Sequence, residues 1–314
     1  MFKQKAGAAK RMSSNGKWQS VLFQISIYAI PLTLFVVFWV GINVNSLIMA
    51  FQKISFEGER SFAGFSNFKN FVDKVFARNN SGTLLQTSFK NSFKMFFINF
   101  LFSMPLYLLF SFYLFKKLPG NKAFLIIVMI PSIVSEFIIS LVFKRFVNVV
   151  LPKVFNIYFH TQIPSLLEHP SYTFGTTLFF MIWVSFSTSL IVYPNAMRAI
   201  SGEIIESSHI DGAGMWKEFW HIILPLISPT LSTFIITGVA GIFLAAGPAV
   251  AFYQFNAYPE VYTVGYYYTA MVMNATNETG YPEMAAGGLI LTAISCPMTF
   301  GVKYFLEKIL PETN

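Results

Sequence analysis

The chain has 314 residues, 54% of them hydrophobic and only 11% charged, with 37 phenylalanines. Soluble domains carry about 25% charged residues, so this composition excludes an ordinary soluble enzyme and asks for an apolar solvent around much of the chain. The formal charge of +8 sits mostly at the edges of apolar runs, with no basic patch interleaved with stacking aromatics in a polar stretch; that favours membrane lipid and excludes nucleic acid as a partner.

Residues 1–17 carry Lys3, Lys5, Lys10, Arg11 and Lys17 and form a basic segment ahead of Trp18 to Gln52, a run without a charged residue. That run is too long for a signal peptide and no small-residue site closes it. It predicts a retained first helix with the N-terminus on the cytoplasmic side, because a dense basic cluster resists crossing. Residues 18–314 read as one transmembrane domain, with spans at about 21–51, 92–115, 123–146, 172–196, 222–250 and 284–306. The spans are helices, since lipid satisfies no backbone polar group and the runs lack the alternation of barrel strands. Over all segments, the N-terminal cluster included, basic residues divide twelve inside against ten outside, so the density of that cluster and not the count carries the orientation.

Between the first two spans lies the longest polar segment, Lys53 to Lys94, where phenylalanines alternate with polar residues around Phe65 and Phe68. It reads as an amphipathic helix at the outer surface or a cap over the bundle. Glu136 is the one acidic residue inside a run, and an isolated carboxylate in lipid is costly, so it faces protein, water or a solute. Carbohydrates are held by aromatic rings and a few hydrogen-bonding groups in a largely apolar cavity. The fourth span offers Trp183, Ser187, Tyr193 and Asn195, the fifth offers Thr237, Gly241 and Phe243, and the last region offers Tyr266, Tyr267 and Tyr268. For each of them helix packing or an interfacial aromatic belt is an equal reading. Cys296 is the single cysteine and reads as a small core residue. No His-Glu-x-x-His and no cysteine pair is present, which argues against a metal site. Ser208, His209 and Asp211 are too close in sequence for a catalytic triad, so no catalytic residue is assigned.

One polar stretch has a defined internal order. In the loop at about 198–222, Glu206 is followed by the small residues Ser207 and Ser208, then after three residues by Gly212. After nine more come Ile222 and, one further, Leu224 and Pro225. Read as helix, Trp216, Phe219, Trp220 and Ile223 make one apolar stripe with Lys217, Glu218 and His221 off it. Gly212 and Gly214 interrupt helix propensity just before that stripe. The stretch therefore predicts two short helices with a bend at Asp211-Gly212-Ala213-Gly214, a stiff lever along the membrane face. Pro225 suits the first turn of the helix that follows.

This order resembles the "EAA" signature of permease subunits of binding-protein-dependent ABC importers. Glu206, Ser207, Ser208, Gly212, Ile222, Leu224 and Pro225 match it in register, and Asp211, Gly212 and Ala213 match the sugar-transporter branch. Ser207 and Ser208 depart from the family's usual Ala-Ala, which keeps the size and changes the polarity. The run Ala63 to Phe68, Asn91, the run Pro119 to Phe124, Ile130-Pro131 and the run Ala285 to Leu289 resemble the carbohydrate group with maltose, glycerol-phosphate and multiple-sugar permeases, nearest to the branch labelled LplB-like.

The resemblance implies an all-α integral membrane fold, the six-transmembrane-helix type I importer permease with a cytoplasmic coupling helix in the bacterial plasma membrane. It implies that Glu206, Ser207, Ser208, Asp211, Gly212, Ala213, Ile222, Leu224 and Pro225 couple the chain to a cytoplasmic ABC ATPase. It also implies a second homologous permease subunit and an extracellular solute-binding protein as partners. The cargo implied is an oligosaccharide or related carbohydrate; by the same resemblance the face with Thr237 and Gly241 lines the pocket, although Gly241 stands where a polar residue is common. The chain has no Gly-x-x-x-x-Gly-Lys-Ser/Thr loop, so no cofactor is expected in it, and ATP and Mg belong to the partner ATPase. A non-sugar importer remains open. An ion-coupled secondary carrier would need more intramembrane charges and repeated halves, and an intramembrane enzyme a cluster of His or carboxylate groups within the spans.

Overall fold

The computed structural model describes residues 14–77 and 83–309, and side chains from Trp18 onward; the basic cluster from Lys3 to Arg11 lies outside the described residues. Among the described residues, four helices are long and apolar enough to cross a membrane: α1 (Trp18–Ala50), α3 (Leu84–Phe115), α6 (Pro170–Arg198) and α12 (Glu278–Ile309). Two bent pairs pass the same test as pairs. Helices α4 (Asn121–Ile133) and α5 (Glu136–Phe159) meet at 103°, and α8 (Met215–Leu226) and α9 (Ser228–Ala240) meet at 66°. The third apolar run is therefore broken at Val134-Ser135 rather than continuous, and the fifth ends at Ala240, short of residue 250. The remaining helices are α2 (Ser66–Phe76), α7 (Gly202–Ile210), α10 (Ala249–Tyr253) and α11 (Val264–Met273). The chain is a multi-pass membrane protein.

The breaks have local causes. Pro131 removes an amide donor near the end of α4, and Ser135 and Glu136 open α5 with the residue types that favour a helix start. In the other pair Pro225 and Pro229 flank Ile227, where α8 stops. Four stretches widen into π-helical turns: Phe35–Val40, Asn99–Ser103, Phe146–Val150 and Phe219–Ile223. Each wide turn re-phases the side chains beyond it.

Helices α3 and α6 form the central pair, with α4 against α6 and α9 against α12. Helix α1 is exposed along nearly all its length and joins the bundle through its last turns, which pack on α12. Lipid is as apolar as its leucines and phenylalanines, so such a helix needs no protein cover. Where helices do meet, aromatic side chains fill the space: Phe180 and Phe252 touch edge to face at 5.0 Å, and Phe89 and Phe243 at 5.3 Å.

The cap expected at one end is built from an antiparallel hairpin and α2. Strands β1 (Gln52–Ile54) and β2 (Arg60–Phe62) pair Gln52 with Phe62 and Ile54 with Arg60. Asn67 of α2 donates to Ala50 O at 2.9 Å and Gln52 O at 2.7 Å, which ties the cap to the end of α1. On α3, Asn91 donates to Pro259 O at 3.1 Å and Tyr262 O at 3.0 Å, holding the loop before α11. Arg60 and Lys74 pair with Glu278 and Glu283 at the start of α12.

Gly287 shows why the cap seats where it does. A Cβ there would lie 2.2 Å from Tyr268 Oη and 2.5 Å from Phe71 Cδ2, whereas a Cβ on the neighbouring Gly288 would meet nothing within 4 Å. Gly287→Ala is therefore expected to cost about 1–3 kcal/mol by overpacking. Gly288→Ala should be neutral or slightly stabilising, since alanine is the better helix former. Thermal unfolding of the two purified variants in detergent checks this; equal midpoints would refute the close seating of α2 on α12.

Candidate functional site

Helix α7 ends in a Schellman closure. Ile210 is the last helical residue and Asp211 caps it; Gly212 adopts φ +74°, Gly212 N–H donates to His209 O at 3.1 Å, and Ala213 N–H donates to Ser208 O at 2.9 Å. Glycine is the residue that takes this left-handed backbone without strain, and it turns the chain from α7 into α8. Ser208 is buried beneath the turn and donates its hydroxyl to Ile205 O at 2.7 Å. Ser207, Ser208, Asp211, Ala213 and Ile222 come together with Glu203 and Ile204 around one open depression of about 440 Å³. Glu206, Gly212 and Pro225 are exposed, and Leu224 is half-buried against the core below.

The apolar stripe expected on α8 is only half present. Phe219 and Ile223 are buried with Tyr107, Phe112, Tyr193 and Met197, and the Phe219 ring lies tilted against Phe112, centroids 5.0 Å apart. Trp216 and Trp220 are exposed instead, and Glu218, expected off the stripe, is 1% exposed. Trp216 and Glu218 lie ahead of the wide turn at Phe219–Ile223, and Trp220 lies within it. The Glu218 carboxylate is held 2.5 Å from Lys116 Nζ, at the end of α3, and 3.2 Å from His209 Nε2 on α7. Three elements thus meet at one buried carboxylate that sequence reasoning missed; the signal was its place in the first turn of α8, where an acid suits the helix N-terminus. The segment is joined to the ends of α3 and α6 by a packed core and an ion pair.

Deeper in the bundle a cavity of about 510 Å³ opens between α3, α6 and α9, with Glu136 at the start of α5 on its wall. Asn99 and Tyr107 come from α3; Ser185, Thr188, Ser189 and Tyr193 from α6; Phe234 and Gly238 from α9. Among the residues singled out from sequence, Glu136, Tyr193 and Gly241 reach this wall. Trp183 packs between Phe143 and Phe180. Ser187 is fully buried and donates to Val128 O at 2.7 Å, binding α6 to α4. Thr237 turns its hydroxyl back to Thr233 O at 2.8 Å. Phe243 is buried against Phe89 and Phe93, and Tyr267 packs on the same cluster. The residues not singled out, Ser185, Thr188 and Ser189, follow i, i+3, i+4 spacing, which puts small polar groups on one face of a membrane helix. No group of three His, Cys, Asp or Glu residues able to hold a metal is present among the described residues.

No family model matches the chain. The chain is 25% identical over 281 residues to the arabinooligosaccharides transport system permease protein AraP of Bacillus subtilis (strain 168), covering 85% of this chain and 83% of that protein. It is 26% identical over 127 residues to Protein LplB of the same organism; that match spans 40% of this chain and 39% of LplB, less than half of either. Among solved structures, a chain of a bacterial alginate ABC transporter in complex with an alginate pentasaccharide-bound periplasmic protein superimposes with a TM-score of 0.73 over 94% of this chain and 98% of that one, at 18% identity. The fold is that of an ABC importer permease. The resemblance to a carbohydrate permease first read in the loop thus runs through most of the chain.

Proposed function

We propose that the chain is a permease subunit of an ATP-driven importer that moves an oligosaccharide or related carbohydrate into the cytoplasm. The observation that carries this is the extent of the likeness to AraP, more than four-fifths of both chains, together with the ABC permease fold. The chain supplies passage and coupling; ATP hydrolysis, with its Mg, takes place on a separate ATPase. Its other partners are a second, similar permease and an extracellular solute-binding protein. The N-terminus lies in the cytoplasm, on the side of the bent segment.

That segment, with the depression beside Ser207, Asp211 and Ala213, is the coupling element gripped by the ATPase. Two features favour it. Ile210 is 86% exposed and Met215 and Trp216 are exposed beside it, at the polar end of the bundle, an arrangement that marks a protein-contact surface. The core under Phe219 and the Lys116–Glu218 pair make the segment stiff enough to transmit a displacement to α3 and α6. Movement of paired ATPases then tilts the two permeases between inward- and outward-facing states.

Tagged purification from native membranes is expected to bring down an ABC ATPase, and vesicles holding the purified complex should take up a saccharide only with ATP on the side that carries the ATPase. Uphill uptake by this polypeptide alone, or purification with no ATPase under mild detergent, would remove the reading.

A further inference from the structure

Resting on that carbohydrate reading, we infer that Glu136 is a charge filter: the cavity admits neutral or amino-bearing saccharides and turns away acidic ones. Among the residues that line the cavity, Glu136 alone carries a formal charge. The rest of the polar wall is neutral hydroxyl and amide, with Asn99, Tyr107, Ser185, Thr188 and Tyr193 facing the same space. The carboxylate has neither an ion-pair partner nor a side-chain hydrogen bond among the described residues, so its charge is not spent on structure. It stands at the first position of α5. The 103° break that precedes it is what brings this position to the cavity wall; a straight helix through Val134 would have continued the lipid-facing run.

An intramembrane carboxylate is costly, and it persists where it faces water or cargo. Selectivity needs a repulsive element as well as attractive ones. A uronate brought into a space of this size meets a like charge with no cation on this chain's wall to offset it. Hydroxyl groups, and an ammonium more so, find an acceptor there.

The test uses the whole transporter complex with its solute-binding protein in vesicles, and a panel of neutral, hexosamine-containing and uronate-containing oligosaccharides of equal length. The expected result is uptake of uronates at least about tenfold below the neutral compounds, with Glu136→Gln narrowing that ratio severalfold and Glu136→Lys cutting hexosamine uptake. Uronate uptake equal to neutral uptake in the unaltered complex, or a ratio that Glu136→Gln leaves unchanged, would overturn the charge filter alone. Absence of uptake of any saccharide, with ATP-driven uptake of another solute class, would overturn the carbohydrate reading and the filter with it.

Discussion

Lys116→Met is expected to be the most damaging single change at the loop end of the bundle. Lys116 Nζ lies 2.5 Å from Glu218 Oε2, in a side chain only 1% exposed, and Glu218 Oε1 already has no hydrogen-bond partner. Without the ammonium the carboxylate keeps His209 alone, at 3.2 Å. Breaking a buried pair from one side costs about 3–5 kcal/mol, because the remaining charge stays out of water. Replacing both partners by apolar side chains is often close to neutral. Lys116→Met with Glu218→Leu should therefore recover most of the stability that Lys116→Met loses. Thermal unfolding of the purified variants decides it: a silent single variant, or a double variant as weak as the single, would mean that the pair does not hold α8 to α3. ATP-driven uptake should follow the same order, since a loosened segment transmits less of the ATPase stroke.

Gly212→Pro is expected to abolish ATP-driven uptake while the protein still inserts and purifies. Gly212 sits at φ +74° and donates its amide to His209 O. Proline fixes φ near −65° and has no amide to donate, so the closure of α7 opens and the surface of Ser207, Asp211 and Ala213 comes apart. Strain and not crowding is the cause, because a Cβ at this position would meet nothing within 4 Å. Gly212→Asn is the informative companion: asparagine tolerates the left-handed region better than other residues, so it should retain much of the uptake, while Gly212→Val, at about 1–2 kcal/mol of backbone strain, should lose most of it. Equal uptake in the proline and asparagine variants would refute the role given to this turn.

Much of the fold was legible because apolar runs of bilayer length seldom occur outside membrane-spanning helices. The bend at Gly212 was legible too, from glycine chemistry and from the spacing that begins at Glu206. The breaks were harder. Nothing in the apolar count marks Val134-Ser135, and the signals that stop α4 there, Pro131 behind and Ser135-Glu136 ahead, are weak inside a hydrophobic run. Glu136 was noticed as an isolated charge, yet its position on the cavity wall depends on that break. The buried side of α8 was misread for a different reason: Glu218 is drawn inward by Lys116 and His209 from two other elements, tertiary partners that leave no signal in the segment itself. Trp183 and Tyr267 pack with other rings, since large rings fill helix interfaces as well as they bind sugars, while Phe243 packs on Phe89 and Phe93 and also lines a second cavity of about 490 Å³.

The wide turn in α3 settles how the cavity keeps its outline. Met104 N–H reaches back five residues to Asn99 O, so Asn99–Ser103 holds one residue more than an ordinary turn. Loss of that residue would swing Met104–Phe115 by about 100° relative to Leu84–Ile98. Ser92 and Tyr107 would then look in different directions, and the seam that Phe112 makes with Phe219 would part at the same moment. A single peptide unit thus sets the alignment between the chamber inside the bundle and the joint at its end, and the two cannot be retuned separately by changing the length of this helix.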